Sequence, residues 1–147
     1  MSFLSEDKAF SCKSDLWTTP KSLFDELDYK YKFTLDPCAT DENALCDKYY
    51  TMKDNGLEQN WGGEFVFMNH HYVREIGKWI EKAYNESLKG AVVICLIPSR
   101  TDTRYWHDYI FPYASDIKFI KGRLKFGSGN APAPFPSAII EFKNQIV

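Results

Sequence analysis

Ala91-Val92-Val93-Ile94-Cys95-Leu96-Ile97 is continuously apolar and stops at Pro98. A strand with one wet face alternates apolar with polar residues, whereas a run with no polar position is covered on both faces, as in a buried parallel sheet. Working outward, Glu64-Phe65-Val66-Phe67-Met68 is a second apolar burst of strand length, and it runs into Asn69-His70-His71-Tyr72. Between the two, Arg74–Leu88 sets Ile76, Trp79, Ile80 and Ala83 at helical spacing before Gly90 ends the pattern. A strand, a helix and a strand in this order make a parallel crossover unit.

Upstream, Leu23, Phe24, Leu27 and Tyr31 share one face of a helix over Lys21–Tyr31, with Thr19 as its cap and Pro20 at its first position. A short strand, Phe33–Asp36, follows and ends at Pro37; Asp41–Cys46 reads as a short helix and Asp54–Gly63 as loop. Downstream come a helix at Thr101–Ile110, a strand at Asp116–Ile120, a second strand at Arg123–Phe126 beyond Gly122, and a final one at Ser137–Phe142. This order predicts a single α/β domain, doubly wound, whose last strands form an antiparallel hairpin. Residues 1–12 read as a flexible start and 13–147 as the domain.

The composition, 44% hydrophobic and 26% charged over 147 residues, excludes a disordered chain and a membrane span. Its 11 Phe, 9 Tyr and 4 Trp exceed what a core of this size needs, which points to a surface for flat ligands such as nucleobases. The net charge of −2 hides an asymmetry: residues 21–60 hold 5 Lys+Arg against 9 Asp+Glu, and residues 99–147 hold 7 against 4. The C-terminal third is therefore the better place for a polyanion, through Arg100, Arg104, Lys121, Arg123 and Lys125, with Arg123 and Lys125 on one face of their strand. Ordinary solvated surface is the alternative for this charge.

Cys12, Cys38, Cys46 and Cys95 form no C-x-x-C pair, and MSFLSEDKAF has no long apolar run, so reduced thiols in a cytoplasm are expected. Cys38, Cys46, His70 and His71 offer two sulfurs and two nitrogens, but not in the tight local pairs that zinc sites use, so no metal is expected.

A doubly wound sheet binds its ligands outside the carboxyl ends of its strands. Those ends here are Asp36-Pro37-Cys38, Asn69-His70-His71-Tyr72 and Pro98-Ser99-Arg100. Asp36 offers a carboxylate to ligand hydroxyls or amines, with a turn or capping role as the alternative. Asn69 offers the acceptor and donor that grip an exocyclic amine, and Tyr72 a flat face beside it, against the alternatives of a turn-forming Asn and a core Tyr.

Asp15-Leu16-Trp17-Thr18-Thr19-Pro20, Phe33-Thr34-Leu35-Asp36-Pro37-Cys38-Ala39, Asn43-Ala44-Leu45-Cys46, Gly56-Leu57, Glu75-Ile76-Gly77-Lys78-Trp79, Arg100-Thr101-Asp102-Thr103-Arg104-Tyr105-Trp106-His107, Gly122-Arg123-Leu124-Lys125-Phe126-Gly127 and Ala133-Pro134-Phe135-Pro136-Ser137 occur in this order. Together they resemble the small phage-encoded, Dam-like DNA adenine N-6 methyltransferases over residues 15–143. The resemblance implies a Rossmann-like methyltransferase sheet, S-adenosylmethionine as cofactor and DNA as partner. It implies that Thr18, Thr19 and Pro20 pack on the methionine part of the cofactor and that Asp36, Pro37 and Cys38 form its binding loop.

Asn69 to Tyr72 stands where the family carries Asn-Pro-Pro-Tyr or Asp-Pro-Pro-Tyr. The resemblance assigns to Asn69 and the backbone carbonyl at His70 the acceptance of hydrogen bonds from the adenine amine, and to Tyr72 stacking on the flipped base. His70 and His71 occupy both proline positions; prolines fix two φ angles and aim the carbonyl, and histidines release them. Two functions stay open: methyl transfer to adenine, in the restriction-modification setting of such enzymes, or a catalytically impaired methyltransferase fold that binds DNA or protein in a phage anti-restriction or regulatory role.

Overall fold

The computed structural model describes residues 18–69, 75–126 and 132–144. Its strands, in chain order, are β1 (Leu35–Asp36), β2 (Lys48–Tyr49), β3 (Phe65–Met68), β4 (Val92–Pro98), β5 (Asp116–Phe119) and β6 (Ser137–Lys143). Across one six-stranded sheet they stand in the order β2-β1-β3-β4-β6-β5. The first four are parallel, with Leu35 opposite both Lys48 and Val66, and Val66 opposite Val93. β6 runs antiparallel between β4 and β5, so the expected α/β sheet with antiparallel C-terminal strands is present.

The continuous apolar reading of β4 has its cause in two covered faces. Val93, Cys95 and Ile97 join one core, with Val66 and Met68 of β3, Trp61, and Ile76, Trp79, Ile80 and Ala83 of α2 (Ile76–Ser87). Ile94 and Leu96 join the other, with Phe67 of β3 and Phe24 of α1 (Lys21–Tyr31), and Phe126 and Phe135 from the loop before β6. Trp106 and Ile110, in a π-helical turn at Trp106–Ile110 that continues as α3 (Phe111–Tyr113), extend the first core toward β6.

Several local expectations change. α1 spans Lys21–Tyr31 as read, but Pro20 stands at its cap with no side-chain capping bond, so Thr19 is not the cap and Pro20 not the first helical residue. Asp41–Cys46 is a turn rather than a helix, because side chains compete for its amides: Leu45 N donates to Asp36 Oδ2 (3.1 Å) and Thr40 N to Asn43 Oδ1 (2.8 Å). Arg123–Phe126 is not a strand, since β6 already has a partner on each side. Its alternation survives as packing, with Leu124 and Phe126 turned into the second core and Leu124 O accepting from Ala133 N (2.8 Å). β2, only two residues long, escapes any periodicity.

Glu86 of α2 is 1% exposed and ties the helix to the loop before β3. Its Oε1 accepts from Trp61 N (2.6 Å), and its Oε2 is paired with Lys89 (3.0 Å) and Lys82 (3.3 Å). Burial works to raise its pKa, but the Trp61 amide and the two lysines outweigh it and hold the carboxyl below its usual range. Glu86→Ala leaves the Trp61 amide buried without an acceptor and is expected to cost about 1–3 kcal/mol in urea denaturation. An unchanged unfolding midpoint contradicts this assignment.

Candidate functional site

After β1 the chain turns to one side to form β2, and after β2 it returns past β1 to form β3 on the other side. The loops that follow β1 and β3 therefore diverge, and the space between them is where an open α/β sheet takes a ligand. Two cavities adjoin there, and Cys38 lines both.

The larger cavity, about 500 Å³, is walled by Pro37–Glu42 after β1, by the loop after β2 from Thr51 to Leu57, and by Glu75 and Trp79 at the start of α2. Its size is that of a cofactor pocket. Leu57 and Trp79 make an apolar wall, Trp79 being stacked on Trp61 (centroids 6.1 Å apart), and Asp41, Glu42 and Glu75 put carboxylates around it. Gly56 is required by close approach: a Cβ there would stand 2.2 Å from the Pro37 carbonyl oxygen.

The smaller cavity, about 30 Å³, is lined by Thr18, Thr19, Asp36, Cys38, Asn43, Leu45, Phe67 and Asn69. Asn69 Nδ2 donates to Thr19 Oγ1 (2.8 Å) across 50 residues of chain. The buried Nδ2 of Asn43 meets no acceptor among the described residues. Asp36 is buried, and its two oxygens accept from Cys38 N (3.3 Å) and Leu45 N (3.1 Å), so this carboxylate shapes the loop that separates the two cavities.

Of the residues read from sequence, Thr18, Thr19, Asp36, Cys38 and Asn69 meet in the small cavity, and Pro37 and Cys38 in the large one, while Pro20 stands at the head of α1. His70 and Tyr72 lie outside the described residues, as does His71. Pro98 faces Ser137 and Phe119 faces Ala138, so the loops after β4 and β5 leave the same edge of the sheet as Asn69. Arg100, Lys121, Arg123 and Lys125 are exposed in those loops and Arg104 is exposed at the start of the helical segment after β4, and the Arg100 guanidinium lies 5.5 Å from the Phe135 ring centre. The cavity with Asp41, Glu42 and Glu75, which Lys53 also lines, thus lies beside β1 and β2, and the basic loops follow β4 and β5 along the same edge.

Sequence reading missed most of the large cavity. Asp41 and Glu42 fell in the segment read as helix, Thr51–Leu57 in segments without periodicity, and Trp79 on a face assigned wholly to the core. Gly56-Leu57 and Glu75-Ile76-Gly77-Lys78-Trp79 were among the blocks that carry the family resemblance, but no site role was read from them. Among the described residues no cluster of three or more His, Cys, Asp or Glu is placed to hold a metal ion, and no helix is long and apolar enough to cross a membrane.

A family model described as DNA N-6-adenine-methyltransferase (Dam) matches residues 7–140. The chain is 30% identical over 112 residues to a DNA N-6-adenine-methyltransferase of Escherichia phage T1, a match covering 75% of this chain and 46% of that protein. It is 27% identical over 115 residues to a DNA N-6-adenine-methyltransferase of Haemophilus phage HP1 (strain HP1c1), covering 76% of this chain and 66% of that one. The chain thus spans about half the length of the first relative and just under two thirds of the second.

Burial pushes the Asp36 carboxyl up from 3.8 to about 6, against the two amides that pull it down. A carboxyl raised on folding favours the folded state most below its unfolded value and loses that contribution as pH climbs through the folded value. Relative to Asp36→Ala, the native chain is therefore expected to lose up to about 3 kcal/mol of stability in urea denaturation between about pH 3 and pH 7. A pH-independent difference between the two proteins contradicts this.

Proposed function

Because the chain belongs to the DNA N-6-adenine-methyltransferase (Dam) family, we propose that it transfers a methyl group from S-adenosylmethionine to the exocyclic amine of adenine in DNA. The observation that carries this reading is the junction of the two cavities at Cys38, one of cofactor size and the other ending at Asn69.

The residues present fit the cofactor. Asp41, Glu42 and Glu75 suit a ligand whose sulfonium and ammonium are positive, and Leu57 and Trp79 suit its base; Asn43 Nδ2, in the adjoining smaller cavity and without an acceptor among the described residues, suits its carboxylate. Thr18, Thr19, Asp36, Pro37 and Cys38 form the wall between the cofactor and the target base, and Pro20 fixes the entry of that wall into α1. When bound, S-adenosylmethionine supplies an electrophilic methyl group.

Asn69 accepts a hydrogen bond from the adenine amine, which keeps electron density on the nitrogen that attacks. The His70 carbonyl accepts a hydrogen bond from the second N–H of the amine, and Tyr72 stacks on the base once it leaves the duplex. Arg100, Arg104, Lys121, Arg123 and Lys125 take phosphates, while the carboxylates around the cofactor cavity repel the DNA backbone from that end of the edge.

Incubation with labelled S-adenosylmethionine and unmethylated duplex DNA is expected to give N6-methyladenine in digested product. A second reading, a scaffold that binds without turnover, is favoured by His70 and His71 at the proline positions. It predicts no transfer by the native chain and a large gain when both histidines are replaced by proline.

DNA binding followed by anisotropy is expected to weaken with salt, with a log–log slope of about −3 to −4 if three or four cations reach phosphates. Arg104→Ala should bring that slope about one closer to zero. A slope near zero in the native chain removes the basic loops from the DNA interface.

A further inference from the structure

Thr19 has the composition of a helix cap and the position of one, yet α1 starts without it. Its hydroxyl instead accepts the Asn69 side-chain amide at 2.8 Å. Two features hold that hydroxyl still. Pro20, at φ −58°, restricts the backbone of the residue before it, and a β-branched side chain has few χ1 choices. Thr19 is half-buried and Asn69 only 7% exposed, so solvent competes poorly for the bond.

An Asn amide has two faces of opposite chemistry, and rotation by half a turn exchanges acceptor for donor. An amide that turns its NH₂ to the adenine amine opposes donor to donor, and the amine then loses the contact that sustains its nucleophilicity. A hydroxyl both donates and accepts, so the Thr19 bond fixes where the Asn69 side chain sits rather than which face it shows; in this structure Nδ2 is the donor. We propose that Thr19 is a positioning residue for the transfer, acting through Asn69: its hydroxyl anchors the Asn69 side chain at the rim where it meets the substrate amine. This rests on the reading of Asn69 as the amine's acceptor.

Two variants separate the roles. Thr19→Val keeps shape and removes the hydroxyl; Thr19→Ser keeps the hydroxyl. In nitrogen-labelled protein the Asn69 side-chain amide pair, identified by its loss in Asn69→Asp, is expected to shift and exchange faster in Thr19→Val and to stay near its native position in Thr19→Ser. The kcat for methyl transfer is expected to fall 10- to 100-fold, about the cost of misplacing a reacting group by 1 Å, in Thr19→Val. The KM for S-adenosylmethionine rises by less than the kcat falls, and Thr19→Ser regains most of the rate.

An amide pair unmoved in a folded Thr19→Val overturns the inference, and so does a loss confined to the KM for the cofactor, which makes Thr19 a cofactor contact instead. If the native chain transfers no methyl group, that failure belongs to the reading of the chain as an active transferase. The amide resonances then still decide whether Thr19 holds Asn69.

Discussion

Leu35 pairs with Val66 in parallel register, and β1 has β2 as its other neighbour. From this pairing comes the rest of the site. Parallel strands end at the same edge, so Asp36 and Asn69 are brought to one rim from positions 33 residues apart, and the loops beyond them part in opposite directions. The pairing is itself held by burial on both sides, since Leu35, Val66 and Phe67 are all 0% exposed. Each such side chain is worth about 1.5–3 kcal/mol when removed from water, so the short strands next to the site are secured by packing more than by the few ladder bonds they make.

The loop after β1 has less packing and is shaped by polar contacts. Asp36 grips Cys38 and Leu45 through backbone amides, Gly56 lets the next loop lie against the Pro37 carbonyl, and Thr19 joins the entry of α1 to Asn69. These contacts cost something to maintain, most plainly a buried carboxyl raised to about 6. A buried acid with its amide partners fixed gives the loop one conformation where an apolar residue would leave several, and a pocket for a charged cofactor needs walls that do not rearrange.

The sheet was legible because its signals are local. Ala91–Pro98 has no polar position, and Ile76, Trp79, Ile80 and Ala83 recur at helical spacing, so β4 and α2 followed from neighbouring residues alone. The edge at which Thr18, Thr19, Asp36, Cys38 and Asn69 meet was legible too, since parallel strands fix it. The cavity was not, because it depends on contacts that no period encodes: Asp36 with Leu45 nine residues on, Gly56 against Pro37, and Trp79 with one side to the core and another to the cavity. Thr19 was misread for the same reason. A threonine before a proline at a helix start has the local marks of a cap, and only the return of the chain 50 residues later supplies Asn69 as the better partner.

The central claim is that one edge presents a cofactor in the acidic cavity and a base at Asn69 at the same time. A crystal structure of the chain with a non-transferable analogue of S-adenosylmethionine and a DNA duplex containing the target adenine tests it most directly. The account predicts the analogue between Pro37 and Trp79, the adenine amine within hydrogen-bond reach of Asn69, and phosphates on the loops after β4 and β5. An analogue bound away from that cavity, or an adenine left in the duplex with the basic loops turned from the DNA, would contradict it.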